Sequence, residues 1–598
     1  MDDYAGRLAM ASGEFWVHED KVRREGRVDV QLLRDLQEVE RKLCVGGLPR
    51  SVAQALLGRC IFVRYLADRQ ILGQDILQKF NVGELSELLR DHTLAYRLFE
   101  WVRSTFNGDL FPITDAELNR VQPNHLRLVA DTLAGTHPTT GQMSLWPYRF
   151  EVIPIELISS IYEQFAHGTE SGDAGKEGVH YTPISVVNLI LDEVMRDASN
   201  KSRVLDLTCG SGVFLVEALR RLVYMRAGRS PVRREDIREI LREQIFGVDK
   251  NESAISVASF SLYLAALELD PNPTPPEALR FEPLIGRNLF IADAFELDHV
   301  GAEAPLKEKK FDIIVGNPPW TYRGSLGQKR RQPDQKGPPL PPRSQDFAFV
   351  WRSLEFANEH TRFGVVMRAT PFFSGANSSV KARNALIDAL APVALVNLSA
   401  LRDELFPTAD YPAVILLARL DEKADSGLIP IITVQWTWRF SRSGAFEIAP
   451  SDVRTAYRAD IESSATLLKV LAVGTPRDRL LLRRIEQEAQ PFNKVLDTFH
   501  VKLLVGIQTL AGDRNDSSHL IGMPFLEAGE IEFRINPRSL SKFGLSEIHR
   551  PRDKSAFRGP LMLIGEGLND GRAAVGMSAG DLVYTRSFYG ISFAGKQG

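Results

Sequence analysis

Cysteine is scarce. Cys44, Cys60 and Cys209 are the only three in 598 residues, they lie far apart, and no CxxC pair occurs. That argues against a disulfide framework or a structural zinc site and fits a reducing cytoplasm. Long apolar runs are missing too: no stretch reaches the roughly 18 apolar residues that a membrane-spanning helix needs. The opening MDDYAGRLAM carries acids where a signal peptide has a basic segment. The chain is expected to be neither exported nor inserted in a membrane. An excess of one charge is also lacking, since 73 Lys and Arg against 76 Asp and Glu leave a formal net charge of −3. A protein that coats nucleic acid would be strongly basic, so any such contact must come from local patches. With 44% hydrophobic and 25% charged residues the chain is globular, and its length suggests about three or four domains.

The order of the patterns supplies the organisation. From about 30 to 135 apolar residues recur at i, i+3, i+4 and i+7, as in VQLLRDLQEVERKL and SVAQALLGRCIFVRYLADRQIL, which predicts helices. Gly46-Gly47 and Leu48-Pro49 separate two of them, with Ser51 as a candidate N-cap for the second. Residues 1–150 therefore read as a helical domain. Beyond the Gly-rich stretch 168–178, short apolar strands alternate with helices: RVLDLTC, GVFLVEALRRLVYMR, QIFGVDK, ESAISVASFSLYLAALEL, NLFIADAF, KFDIIVGNPPW, a helix at DFAFVWRSLEFANEH, then FGVVMRA, ALVNLSAL and PAVILLARL. This order builds a parallel sheet covered on both faces. The expected fold class is α/β, a Rossmann-like doubly wound sheet over 151–425. A connector at 426–494 and a strand-rich mixed α/β region at 495–598 follow.

Four turns carry chemistry. In VLDLTCGSGVFLVEAL a strand ends at Asp206 and a turn with Gly210 and Gly212 opens directly into a helix. Glycines there let a backbone approach a ligand closely. A dinucleotide fingerprint would need a third glycine where Leu215 stands. An acid beside the turn instead suits a ligand with a cationic amino-acid head. Asp249 closes IFGVD and Asp293 closes NLFIAD. In an open parallel sheet these three acids would line one crevice, able to accept bonds from ribose hydroxyls and from an adenine amine. The fourth turn is Asn317-Pro318-Pro319-Trp320, at the end of FDIIVG. Two prolines stop the strand and free the Pro318 carbonyl. With the Asn317 amide oxygen, that carbonyl can hold both hydrogens of a planar exocyclic amine, and Trp320 would offer a flat face to an extruded base.

In this order the Gly-turn, acidic strand ends and NPPW resemble the S-adenosylmethionine-dependent adenine-N6 DNA methyltransferases of restriction–modification and phage-defence systems. GVHYTPISVVNLILDEV resembles the segment that precedes their Gly-turn, which implies that Tyr181, Thr182 and Pro183 join the cofactor site. The resemblance further implies that Asp206, Gly210 and Gly212 serve the methionine and ribose parts of S-adenosyl-L-methionine, Asp249 the ribose, Asp293 the adenine, and Asn317 to Trp320 the transfer. AQALLGRCIFVRYLADRQIL resembles the helical domain of type I modification subunits and type IIG enzymes. GTPRDRLLLRRIEQEAQPFNKVL and VGIQTLAGDRND resemble the start of their target-recognition domain. The implied partners are duplex DNA and other subunits of a restriction–modification or defence complex.

Other segments refine this reading. The insertion TYRGSLGQKRRQPDQKGPPLPPRSQ carries Arg323, Lys329, Arg330, Arg331, Lys336 and Arg343 against one acid, Asp334. It follows the NPPW turn where a DNA backbone must pass, and is expected to contact phosphates. The roughly hundred residues after 495 are short for a recognition domain of this family, so that unit is expected to be partial or completed by a partner. The triplets Glu19-Asp20-Lys21 and Glu40-Arg41-Lys42 read as helix faces rather than a nuclease site, and GDAGKE at 172–177 lacks the features of a phosphate loop. No metal site is expected, and Cys209 reads as a packing residue. Two rival functions remain: methylation of a protein glutamine amide, which uses a similar N-P-P-aromatic turn, and a DNA- and cofactor-binding sensor or scaffold of a defence complex.

Overall fold

A computed structural model of the chain describes residues 28–106, 113, 115–143, 148–150, 182–272, 282–297, 306, 309–320, 337–342, 344–407, 409–420, 427–509, 514–527, 531–569 and 572–594. It divides into two compact units, Met1–Thr475 and Pro476–Gly598.

The first unit opens with helices. In α1 (Val28–Val45), Leu32, Leu36, Val39 and Leu43 follow one another at helical spacing and are fully buried. Glu40, Arg41 and Lys42 lie on this helix, but the solvated face expected of them does not extend to Glu40, which is buried and accepts from Arg50 and Gln54; Glu19, Asp20 and Lys21 lie outside the described residues. Gly47, with a left-handed φ of +98°, turns the chain into α2 (Arg50–Asp68). That helix starts at Arg50 after Pro49, so Ser51 sits inside the first turn and is not its cap. Helices α3 (His92–Thr105) and α4 (Pro123–Leu133) join them, together with the short helices Gln74–Lys79, Leu85–Arg90 and Asp115–Arg120. Within it a buried Arg59–Glu117 ion pair is joined by the Tyr96 hydroxyl, which donates to Glu117 at 2.8 Å.

Nine strands follow, with helices between them: α5 (Ile184–Val194), β1 (Val204–Asp206), α6 (Val213–Ala227), β2 (Ile245–Asp249), α7 (Glu252–Leu269), β3 (Leu289–Ile291), β4 (Phe311–Gly316), α8 (Gln345–Ser353), β5 (Ala357–Arg368), α9 (Asn377–Ala389), β6 (Ala391–Asn397), β7 (Ala413–Arg419), β8 (Leu428–Thr433), α10 (Trp438–Ser443), β9 (Val453–Tyr457) and α11 (Leu467–Val473). They form one sheet in the order β3-β2-β1-β4-β5-β7-β6-β8-β9. The expected parallel sheet is mixed, because β7 runs antiparallel between β5 and β6, and β9 runs antiparallel to β8. The helix expected over 346–360 ends at Ser353, and Ala357–His360 already belong to β5, where Asn358 donates to Asp312 of β4.

Alternation along the strands shows why they read as continuous apolar runs. Val204, Ile313, Val315, Ile415 and Leu417 enter one core, while Leu205, Ile314 and Leu416 enter another on the opposite face. Both faces are buried, so no polar alternation survives. The first core is continuous with that of the N-terminal helices, and Phe62 of α2 meets Phe260 of α7 edge-on at 5.3 Å. Helix α7 is the one described helix long and apolar enough to cross a membrane, and 78% of it is buried against this core. The segment expected as a connector contributes β8, β9 and α11 to the first unit, because Ile429, Ile431 and Leu468 are buried in the second core.

The second unit has helices Pro476–Glu488 and Phe492–Thr498 and a five-stranded sheet in the order 503–505, 588–592, 561–569, 572–578, 534–535. Its own core includes Ile507, Phe543, Phe557, Leu563 and Tyr584. This accords with the strand-rich character read from 495 onward.

Helix α5 carries the segment after Pro183 and packs on β5 at Gly364, where an added Cβ would stand 2.3 Å from Ile190 Cγ2. Gly364→Ala should lower unfolding stability by about 1–3 kcal/mol through overpacking, read as a drop in denaturation midpoint. An unchanged midpoint would mean that this contact does not hold α5.

Candidate active site

Strands β1, β4, β5, β6 and β8 point the same way, so their C-terminal ends share one edge with those of β2 and β3. The three acids read from the sequence meet on it. Each uses the same local device: Asp206 Oδ1 accepts from the Thr208 amide, Asp249 Oδ1 from the Asn251 amide, and Asp293 Oδ1 from the Phe295 amide, all at 2.9 Å. An acid that satisfies the amide two residues on closes its own turn and holds its second oxygen in a fixed direction. Asp249 directs Oδ2 at the Gly210 amide, 3.0 Å away, which ties the end of β2 to the Gly-turn after β1.

The glycines are needed where they stand. Gly210 and Gly212 have φ of +52° and +84°. A Cβ on Gly212 would meet Ala258 Cβ of α7 at 3.0 Å, so the bare backbone lets α6 begin against α7. Gly316, which the sequence reading did not single out, lies beside the acid: a Cβ there would stand 2.8 Å from Asp206 Oδ1. Asp206 is buried. Desolvation pushes its carboxyl up to about 7, the charge of Asp249 adds to the rise, and the Thr208 amide opposes it. Cys209 is buried beneath Gly247, and burial raises its thiol well above the ordinary range, which leaves it a packing residue and no nucleophile.

Beyond β4 the Asn317 carboxamide is held at both ends. Trp320 Nε1 donates to Asn317 Oδ1 at 3.0 Å, and Asn317 Nδ2 donates to Thr182 Oγ1 at 3.1 Å. An indole N–H is a donor only, so the atom facing it must be the amide oxygen, and the orientation of the amide follows. Thr182, expected as a cofactor contact, thus also links the segment ahead of α5 to the NPPW turn. Trp320 corrects an expectation. Its indole is 1% exposed and meets Phe406 edge-on at 5.2 Å and 70°, so it buttresses Asn317 and presents no open face for a base. Phe406, in the β6–β7 connection, was not legible in the sequence because no motif surrounds it.

Behind the turn, α8 docks through the Gln345 amide on the Trp320 carbonyl. Asp346, fully buried and pushed up to about 7 mainly by desolvation, accepts from the Arg368 amide at 2.8 Å. Of the residues assigned to the site, Thr182, Pro183, Asp206, Gly210, Gly212, Asp249, Asp293 and Asn317 to Trp320 are described. Tyr181 and the cations Arg323, Lys329, Arg330, Arg331, Lys336 and Arg343 lie outside the described residues. No cluster of His, Cys, Asp or Glu suited to a metal occurs among the described residues.

Residues 154–436 match the N-6 DNA Methylase family. The chain is 23% identical over 281 residues to the Escherichia coli protein "Type II restriction enzyme and methyltransferase RM.Eco57I", covering 37% of this chain and 27% of that protein. It is 25% identical over 251 residues to the "Type I restriction enzyme MjaVII methylase subunit" of Methanocaldococcus jannaschii, covering 40% of this chain and 36% of that protein. These matches thus span about a quarter to a third of the relatives' own length. Among solved structures, the type IIL restriction-modification enzyme MmeI in complex with DNA has a similar fold, with a TM-score of 0.56 at 14% identity over 94% of this chain and 82% of that one.

Two outcomes follow from this geometry. A carboxyl raised from 3.8 to about 7 by burial favours the folded state while protonated, and that advantage is lost as pH rises through about 7. Asp206→Asn should therefore stabilise the ligand-free chain at pH 8, on the order of 1–3 kcal/mol, and have much less effect at pH 5; a variant less stable at pH 8 in thermal melts would contradict the assignment. Trp320→Phe should remove the donor that fixes Asn317 and lower turnover roughly 3- to 10-fold, the scale of one hydrogen bond, with little change in ligand affinity by calorimetry.

Proposed function

From the match of residues 154–436 to the N-6 DNA Methylase family, we propose that the protein is an adenine-specific DNA methyltransferase of a bacterial restriction–modification or phage-defence system. In this reading it transfers a methyl group from S-adenosyl-L-methionine to the N6 amine of an adenine turned out of duplex DNA. The single observation that carries it is the Asn317 carboxamide, locked by Trp320 and Thr182 at the end of β4 and on the sheet edge that carries Asp206, Asp249 and Asp293.

The residues present fit the cofactor. Asp206 is a buried acid with no basic partner among the causes of its shift, and Gly210 and Gly212 leave bare backbone beside it. Asp206 would face the cationic amino-acid end, Asp249 the ribose hydroxyls and Asp293 the adenine, with Tyr181, Thr182 and Pro183 alongside. S-adenosyl-L-methionine supplies a methyl group on a sulfonium, already electrophilic enough to need no activation by the protein. The work left to the chain is positioning and electrostatics. An amide oxygen can accept more than one hydrogen bond, and Asn317 Oδ1 with the Pro318 carbonyl would accept both amine hydrogens. The nitrogen lone pair is then directed away from these two acceptors, and both stabilise the positive charge that grows on the amine. Pro319 stiffens the turn, and Trp320 positions Asn317. The cations between Arg323 and Arg343 would neutralise phosphates of the duplex, which explains how a near-neutral chain engages DNA.

Duplex DNA incubated with the full chain and labelled cofactor should yield N6-methyladenine on nucleoside analysis. Asn317→Ala should reduce this by about a hundredfold or more while cofactor affinity stays nearly constant. Adenine methylation retained by the variant, or label found on protein glutamine and not on DNA, would overturn the reading.

A further inference from the structure

The chain leaves the NPPW turn at Trp320 and returns to it at Gln345, whose amide, first in α8, donates to the Trp320 carbonyl at 3.4 Å. The limb that leads back to α8 is rich in proline, with Pro338, Pro339, Pro341 and Pro342. Proline has no N–H, so these four residues offer only carbonyls, and the donors that hold them must come from elsewhere in the fold. Apolar contact fixes part of the limb: Leu340 packs, partly buried, against the second core, and Pro341 is buried.

Arg368 supplies the missing donor. It is the last residue of β5, the parallel neighbour of β4, and is 6% exposed. Its Nη2 donates to the Pro342 carbonyl at 3.1 Å and also to the Ser344 hydroxyl. The guanidinium lies over the Tyr411 ring, 4.9 Å from its centre. Tyr411 belongs to the β6–β7 connection that also carries Phe406, so this one connection covers Trp320 with one ring and Arg368 with another. Asp346 accepts the Arg368 amide through Oδ2 and the Phe347 amide through Oδ1, which ties the end of β5 to the first turn of α8. The described contacts of the guanidinium are with a carbonyl, a hydroxyl and a ring, none with a carboxylate, and Nε is buried with no acceptor among the described residues. Burying a cation in this way lowers stability, and an apolar side chain of similar volume would fill the place with less penalty. What the cation alone provides is a pair of directed bonds to the segment from which α8 starts.

We propose that Arg368 is a positioning residue for methyl transfer. It acts through a short series of contacts: Arg368 holds Pro342 and Ser344, the adjoining Gln345 amide holds the Trp320 carbonyl, and Trp320 Nε1 holds Asn317 Oδ1. Loss of the first link frees the start of α8 and the carbonyl side of Trp320, so that Asn317 no longer keeps a single orientation. The acids at the ends of β1, β2 and β3 take no part in this series, so cofactor binding is spared. The inference deepens the methylase reading and rests on it.

The test uses the full chain with duplex DNA and labelled cofactor, with turnover read at saturating substrates and cofactor affinity by calorimetry. Arg368→Met keeps much of the side chain's length and its packing on Tyr411 but removes the donors; it should lower turnover about tenfold, the scale of a charge-assisted hydrogen bond, with cofactor affinity within about twofold. Arg368→Lys, whose ammonium can replace a contact made by one nitrogen, should recover turnover to within about threefold of the unaltered chain. Ser344→Ala removes one acceptor and should lower turnover about threefold, and the double variant Arg368→Met/Ser344→Ala should lose no more than Arg368→Met, because both changes break the same contact. Full turnover in Arg368→Met, or in Ser344→Ala where the Met variant does not fold, would overturn this inference alone. So would a cofactor affinity that falls in step with turnover, the mark of a merely structural role. An unaltered chain that methylates no DNA would overturn the methylase reading and this inference with it.

Discussion

An indole N–H can only donate. From that constraint, the contact of Trp320 with Asn317 settles which end of the carboxamide looks toward the turn and which toward Thr182. Much of the surrounding structure keeps this contact in place. Phe406 closes on the indole from the β6–β7 connection, Gln345 docks on the Trp320 carbonyl, and Thr182, just ahead of α5, accepts from the other end of the carboxamide. An amide orientation enforced by a neighbour of fixed polarity costs no reorganisation when a ligand arrives, which is the condition under which fixed dipoles act most strongly.

The acids at the strand ends follow a second economy of design. Asp206, Asp249 and Asp293 each satisfy the amide two residues ahead through Oδ1, so each acid closes its own turn and leaves its second oxygen to act elsewhere, as Asp249 Oδ2 does on the Gly210 amide. Burial separates their electrostatics: Asp206, sealed beside Gly316, is poised near neutrality, and the charge of Asp249 contributes to that poise.

Motif-bearing turns were legible because they combine strand ends, glycines and prolines that no regular element tolerates; the Gly-turn, the acids and NPPW all fall at strand ends as read. The burial of Trp320 was not legible, since nothing in a tetrapeptide tells whether its aromatic ring faces outward or is covered by a phenylalanine 86 residues away. The antiparallel course of β7 was equally hidden. Its apolar run, buried on both faces, looks the same in either direction. Likewise Ala357–His360 continued a helical pattern in sequence but pair into β5 once Asn358 finds Asp312, a tertiary contact that outweighs local preference.

The single core shared by the N-terminal helices and one face of the sheet bears on how such a chain diversifies. A boundary drawn near residue 150 would cut through the packing of Phe62 on Phe260 and uncover part of α7, the helix that lies between the N-terminal helices and the sheet. The break in packing lies at Thr475–Pro476, beyond which a separate core begins. Exchange of segments between related chains is therefore costly inside the first unit and tolerable at this junction. The region after 475 carries a core of its own, made of residues distinct from those that bury the strands where the acids and Asn317 are held.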